Sequence, residues 1–159
     1  MNTVYFVIMI VAVVLYIIMN KSVKHRYSEE LSVLDKKDYR HKDLLPFGMW
    51  LYDEINIPAS GTYYVFLYQR VVMVYGTRYA SFFLKIHWAE KFLYFFLGII
   101  ISSFIGAVSE YGAIFIVVIP VFGTLLFFLA DKNLDDSAKK RKLQFMLDFP
   151  AFKSKLALL

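Results

Sequence analysis

The sequence predicts an all-α membrane protein with three transmembrane helices, its amino end outside and its carboxyl end inside, and with further helices in the cytoplasm. Three observations predict it. The apolar residues of the 159-residue chain gather in three uncharged blocks of membrane length. The basic residues avoid one of the connecting segments altogether. Charged residues make up only 19% of the chain, against about a quarter in a soluble domain, while aromatic residues supply another 19% and the mean hydropathy is +0.54. That apolar content excludes intrinsic disorder. The lack of cysteine excludes a disulfide-stapled secreted fold, and the balance weighs against an ordinary water-soluble enzyme.

The first block is Val4–Met19, with eleven Val, Ile, Leu or Phe residues in sixteen. Each is worth about −0.3 to −0.6 kcal/mol at mid-bilayer, a few kcal/mol in sum. No basic residue precedes it and no small-x-small site follows it, so it reads as an uncleaved anchor and not as a signal peptide. The second block, Phe92–Val108, holds eleven such residues, and the third, Gly112–Ala130, holds thirteen. A fourth apolar stretch, Thr62–Gly76, carries Gln69 and Arg70 at its middle. A central Arg costs about 2.5–3.5 kcal/mol and cancels the gain from the neighbouring apolar residues. It reads as a cytoplasmic or interfacial helix, since strict alternation is missing.

Orientation follows from the Lys and Arg residues near the spans. Lys21, Lys24 and Arg26 follow the first span, Lys85 and Lys91 precede the second, and Lys132 and Lys139–Lys142 follow the third. The connector Ser109-Glu110-Tyr111 has none. The expected organisation is an anchor over 1–20, a cytoplasmic helical region over 21–91, a transmembrane hairpin over 92–130, and the start of a cytoplasmic helical domain over 131–159. The net charge of +5 belongs to the cytoplasmic face, where anionic membrane lipid attracts such segments, and requires no nucleic acid. Asp131–Asp136 reads as a short linker, with Asp136 or Ser137 capping a new helix. In that helix Lys139, Lys140, Arg141 and Lys142 form a basic run that faces lipid or a partner. The closing Lys-Leu-Ala-Leu-Leu, apolar and uncapped, reads as the point where a longer domain is cut short.

No chemistry for catalysis is visible. The sequence has no phosphate-binding Gly-x-x-x-x-Gly-Lys loop and no His-Glu-x-x-His pair. His25, His41 and His87 are far apart and read as solvated or interfacial. No cofactor and no metal is expected. No charged residue lies inside a span, which removes the usual mark of an ion pathway. The positive feature is Gly98, Ser102 and Gly106, small residues every fourth position on one face of the second span. That spacing lets helix backbones approach closely, either in packing against the third span or in a homo-oligomer. Pro120 is expected to kink the third span, with Gly123 and Thr124 one turn on.

Leu45-Pro46-Phe47-Gly48 opens a cytoplasmic helix. Tyr75-Gly76-Thr77-Arg78-Tyr79-Ala80 stands ahead of Ala89-Glu90-Lys91 and the two-span hairpin. Lys140-Arg141-Lys142-Leu143-Gln144-Phe145-Met146-Leu147-Asp148-Phe149-Pro150 follows. This order, over most of 44–159, resembles the TadB/TadC-like members of the type II secretion system F family, inner-membrane platform proteins of tight-adherence, type IV-like pili. The resemblance implies a non-enzymatic platform in a bacterial inner membrane that couples a separate cytoplasmic secretion ATPase to movement of pilin or substrate. It also implies contacts with that ATPase and a sister platform subunit through Leu44–Lys85 and Lys139–Phe149. A small polytopic scaffold or transporter accessory subunit is the alternative.

Overall fold

A computed structural model describes residues 2–34, 39, 41–58, 61–109 and 114–156, with no account of the side chains of 2 and 150–156. Among these residues every regular element is helical. The six α-helices are α1 (Asn2–Lys24), α2 (Ser28–Ser32), α3 (Pro46–Ile55), α4 (Thr62–Tyr75), α5 (Ala80–Val108) and α6 (Phe115–Leu156). Three stretches are long and apolar enough to cross a membrane: Thr3–Ser32, Thr77–Val108 and Phe115–Phe149. They contain the three uncharged blocks apart from Gly112, Ala113 and Ile114, of which the first two lie outside the described residues.

The chain divides into two compact units, one of residues 1–57 and 85–130, the other of 58–84 and 131–159. In the first, α1 turns polar at Asn20 and closes on Lys21 and Lys24, where cations suit a helix C-terminus. A 3₁₀ turn at His25–Tyr27 leads into α2. The Lys42 ammonium donates to the carbonyls of Leu31 at 3.3 Å and Leu34 at 2.8 Å, tying the end of α2 to the turn before α3. Helix α3 starts with Pro46 in its first turn, where a missing N–H costs nothing. It stops where Asn56 turns left-handed at φ 47°. The core of this unit includes Tyr16, Tyr27, Leu31, Leu45, Phe47 and Met49.

In the second unit, Gly61 is extended ahead of α4 and Gly76, at φ 82°, ends it. Only glycine reaches that backbone region without strain. The chain then makes a 3₁₀ turn at Thr77–Tyr79, and the rings of Tyr75 and Phe83 stack at 3.8 Å. The Tyr63 hydroxyl donates to the carboxylate of Asp131, and Arg70 pairs with Asp135 at 2.9 Å. The two contacts advance together along both helices, so α4 and this part of α6 run in the same direction. Asp135 also takes Lys139, four residues on, at 2.6 Å.

Those contacts correct one expectation. Asp131–Asp136 is not a linker: α6 is continuous from Phe115 to Leu156, 42 residues, about 63 Å at 1.5 Å per residue. Asp131 and Asp135, which read as part of a break, share one face of a helix and are partnered by Tyr63, Arg70 and Lys139. Ser137 caps nothing and donates back to the carbonyl of Asn133 at 2.9 Å. His87 also departs from the solvated reading, being buried.

Candidate functional site

The most constrained place in the first unit is the docking of α3. Its opening Leu-Pro-Phe-Gly acts residue by residue. Pro46 starts the helix and Phe47 follows with a backbone N–H that has no partner inside it. Asn20 supplies that partner from α1: its side-chain oxygen accepts the Phe47 N–H at 3.1 Å while its amide nitrogen donates to the Asp43 carbonyl at 2.9 Å. Asn20 thus caps α3 from another helix, replacing the cap that Leu45 cannot provide. The Tyr16 hydroxyl donates to the Leu44 carbonyl one turn earlier, and Lys24 pairs with Asp43 at 3.0 Å. The Phe47 ring meets Tyr16 and Phe96 edge-on, both at 5.3 Å.

Gly48 completes the motif by contact. A Cβ placed on it would lie 2.6 Å from the Ala89 carbonyl oxygen and 2.7 Å from the Ala89 Cα. Helix α3 therefore lies backbone against backbone on α5, which only glycine permits.

The second close approach joins α5 and α6. A Cβ on Gly98 would lie 2.7 Å from Gly123 Cα, and one on Gly106 would lie 3.0 Å from the Phe115 side chain. Ser102 between them is buried and its hydroxyl donates to the Gly98 carbonyl at 2.6 Å. The three small residues expected to pack are thus on the face of α5 that meets α6. Packing of this kind takes the place of the hydrophobic effect between helices in lipid. Thr124 donates to the Pro120 carbonyl at 2.8 Å, beside the proline that deprives α6 of one N–H.

Two further features were not legible. Lys85, read from the sequence as a charge flanking the second span, reaches Glu30 at 3.2 Å and Asp53 at 3.0 Å and lies over the Tyr27 ring at 4.7 Å. The Tyr27 hydroxyl donates to Asp53 at 2.8 Å. One cation so ties α2 and α3 to α5. Lys91 is fully buried, with its ammonium 4.2 Å from the Phe127 ring centroid and 4.6 Å from that of Trp88. An ammonium over ring faces gains from their negative quadrupole. The only sequence signal is the density of aromatic residues three or four positions around each lysine.

In the second unit the basic run is exposed. Lys139 pairs with Asp135, whereas Lys140, Arg141 and Lys142 make no ion pair among the described residues. No cluster of three or more His, Cys, Asp or Glu able to hold a metal ion occurs among the described residues. Comparisons with models of protein families, with characterised proteins and with solved structures find no match for this chain.

Proposed function

We propose that the chain is a non-enzymatic platform component of a pilus-assembly or type II-like secretion machine in a bacterial inner membrane, with its amino end outside and its carboxyl end in the cytoplasm. The observation that carries the reading is the seat of α3. The Leu45–Gly48 turn and Ala89, two of the sequence features that resemble the platform family, meet at backbone distance. The asymmetry of the basic residues supports the orientation. In this reading α3, α4 and Lys139–Phe149 face the cytoplasm, where a secretion ATPase and a sister platform subunit bind, and the platform passes the motor's movement to pilin or substrate.

Deletion of the gene tests the function. The expected result is loss of surface pili or secreted substrate while the pilin or substrate still accumulates in the membrane. Unchanged surface pili and secretion overturn the reading and favour the polytopic scaffold. Orientation has its own test, since the chain has no cysteine. Single cysteines at Glu110 and Arg141 are labelled in intact spheroplasts with an impermeant reagent. Labelling at 110 alone is expected, and labelling at 141 refutes the topology.

A further inference from the structure

From Lys139 to Phe149, α6 has no cover among the described residues. Every residue from Lys139 to Phe149 is exposed. Within that stretch lie Leu143, Phe145, Met146, Leu147 and Phe149, exposed by 54–70%, the two phenylalanine rings 6.1 Å apart. At about 100° per residue these five side chains sweep an arc of about 200°, leaving a polar strip of Arg141, Gln144 and Asp148. Just before them come Lys140, Arg141 and Lys142, which make no ion pair among the described residues.

Arc and charge together choose among possible covers. A second copy of the chain in the same membrane pairs this helix in parallel and brings the same three cations side by side, where like charges repel. A membrane surface takes one side of a helix and leaves part of a 200° arc in water. A groove encloses a helix on several sides, and carboxylates on its rim answer the cations. We propose that residues 140–149 of α6 are a docking helix for a cytoplasmic protein that presents an apolar groove with an acidic rim. The proposal rests on the platform reading for its cytoplasmic location and adds the chemistry of the partner.

Calcium-loaded calmodulin, an acidic protein with a Met-rich apolar groove, is the probe. It is titrated against the full chain in nanodiscs of zwitterionic lipid. Saturable binding is expected at about 1 μM or tighter, abolished by calcium removal. The pair Phe145→Asp with Leu147→Asp weakens it by at least about tenfold, as loss of anchor side chains does. The triple reversal Lys140→Glu, Arg141→Glu, Lys142→Glu weakens it similarly through lost charge complementarity, and Lys21→Glu leaves it unchanged. All these positions are exposed, and an unchanged far-ultraviolet circular dichroism spectrum and elution volume confirm that the variants fold. Absence of calcium-dependent binding, or binding indifferent to both sets of variants, overturns the proposal. A cysteine at Phe145 that forms a disulfide dimer of the chain overturns it in favour of self-association. A fluorophore at that cysteine quenched by brominated lipid overturns it in favour of the membrane surface. Loss of calmodulin binding leaves the gene-deletion result untouched, so the two readings fail separately.

Discussion

Replacing Gly48 by alanine adds one methyl group at the tightest point of the first unit. Its Cβ would sit 2.6 Å from the Ala89 carbonyl oxygen, 2.7 Å from the Ala89 Cα and 3.0 Å from its carbonyl carbon. All three are backbone atoms of a long helix, so no side chain can swing away. Helix α3 must move instead by most of an ångström, and it is held on its other side by the Asn20–Phe47 bond at 3.1 Å and by two edge-on rings at 5.3 Å. Overpacking of this kind costs about 1–3 kcal/mol, and stretching the buried hydrogen bond adds about 1–3 kcal/mol if it breaks. Alanine returns about 1 kcal/mol of helix propensity over glycine. The net destabilisation is about 2 kcal/mol, which lowers Tm by roughly 4–8 °C in a chain of this size. The melt is followed in detergent by tryptophan fluorescence, since the two tryptophans, Trp50 and Trp88, both lie in this unit. Gly61→Ala is the control, because its Cβ would meet only the Pro58 carbonyl at 3.8 Å. A Gly48→Ala protein as stable as the wild type refutes the backbone contact.

Four other outcomes follow from the geometry. Gly98→Ala lowers Tm more than Gly123→Ala, because the first methyl strikes the Gly123 backbone at 2.7 Å and the second strikes the Phe95 ring at 3.2 Å, which can rotate; the reverse order in detergent melts is contrary evidence. Gly98→Leu goes further and separates α5 from α6, read as loss of folded protein in the membrane. Lys85→Met leaves Glu30 and Asp53 without their shared cation and costs about 1–3 kcal/mol, less than a fully buried pair because both acids are partly exposed; added salt does not mimic the loss if the contact is shielded. Tyr63 is held above the ordinary phenol range by burial, and next by its bond to Asp131. Its contribution is therefore complete below a pH of about 10 and lost only as pH rises through the raised value. Tyr63→Phe lowers stability at neutral pH by about 1 kcal/mol, and an onset of that loss near neutrality in the wild type contradicts the assignment.

Much of the fold was legible because length and charge decide it. A run of sixteen uncharged residues such as Val4–Met19 has few alternatives to a helix in lipid, and α1 contains it. Arg70 ruled Thr62–Gly76 out as a span, and in the structure its charge has a specific use, pairing with Asp135 and lying 3.6 Å from the Phe66 ring centroid. The failure at Asp131–Asp136 has the same root as the success. Charge marks where a lipid-facing stretch ends, but it does not distinguish a loop from the polar side of a helix that continues. Only the partner residues, 68 positions away for Tyr63 and Asp131, decide that. Close approach was half legible. The four-residue period of Gly98, Ser102 and Gly106 announced a packing face, whereas Gly48 stands alone and gains its meaning from Ala89. The burial of Lys91 was not legible for a similar reason, since a cation beside a span ordinarily reaches for water, and here the rings around it make burial tolerable.

The seat of α3 adds to the direct contact between α1 and α5, where the Tyr16 and Phe96 rings lie 5.5 Å apart. Tyr16 and Asn20 belong to the polar end of the first candidate span, Ala89 and Phe96 to the second, and Leu44 to Gly48 lie between them. If the helix is one wedge held from both sides, damage on one side weakens the hold of the other. Asn20→Ala alone removes the cap of Phe47 and costs about 1–3 kcal/mol, and Gly48→Ala alone costs about 2 kcal/mol by steric displacement. In the double variant the displaced helix has already lost the geometry that Asn20 serves. The combined loss then falls short of the sum by 0.5 kcal/mol or more, within the roughly 0.5–3 kcal/mol range of residues that share a contact. Losses that add within about 0.3 kcal/mol would mean that the two contacts act independently, and that α3 is fastened to α1 and to α5 separately rather than binding one to the other.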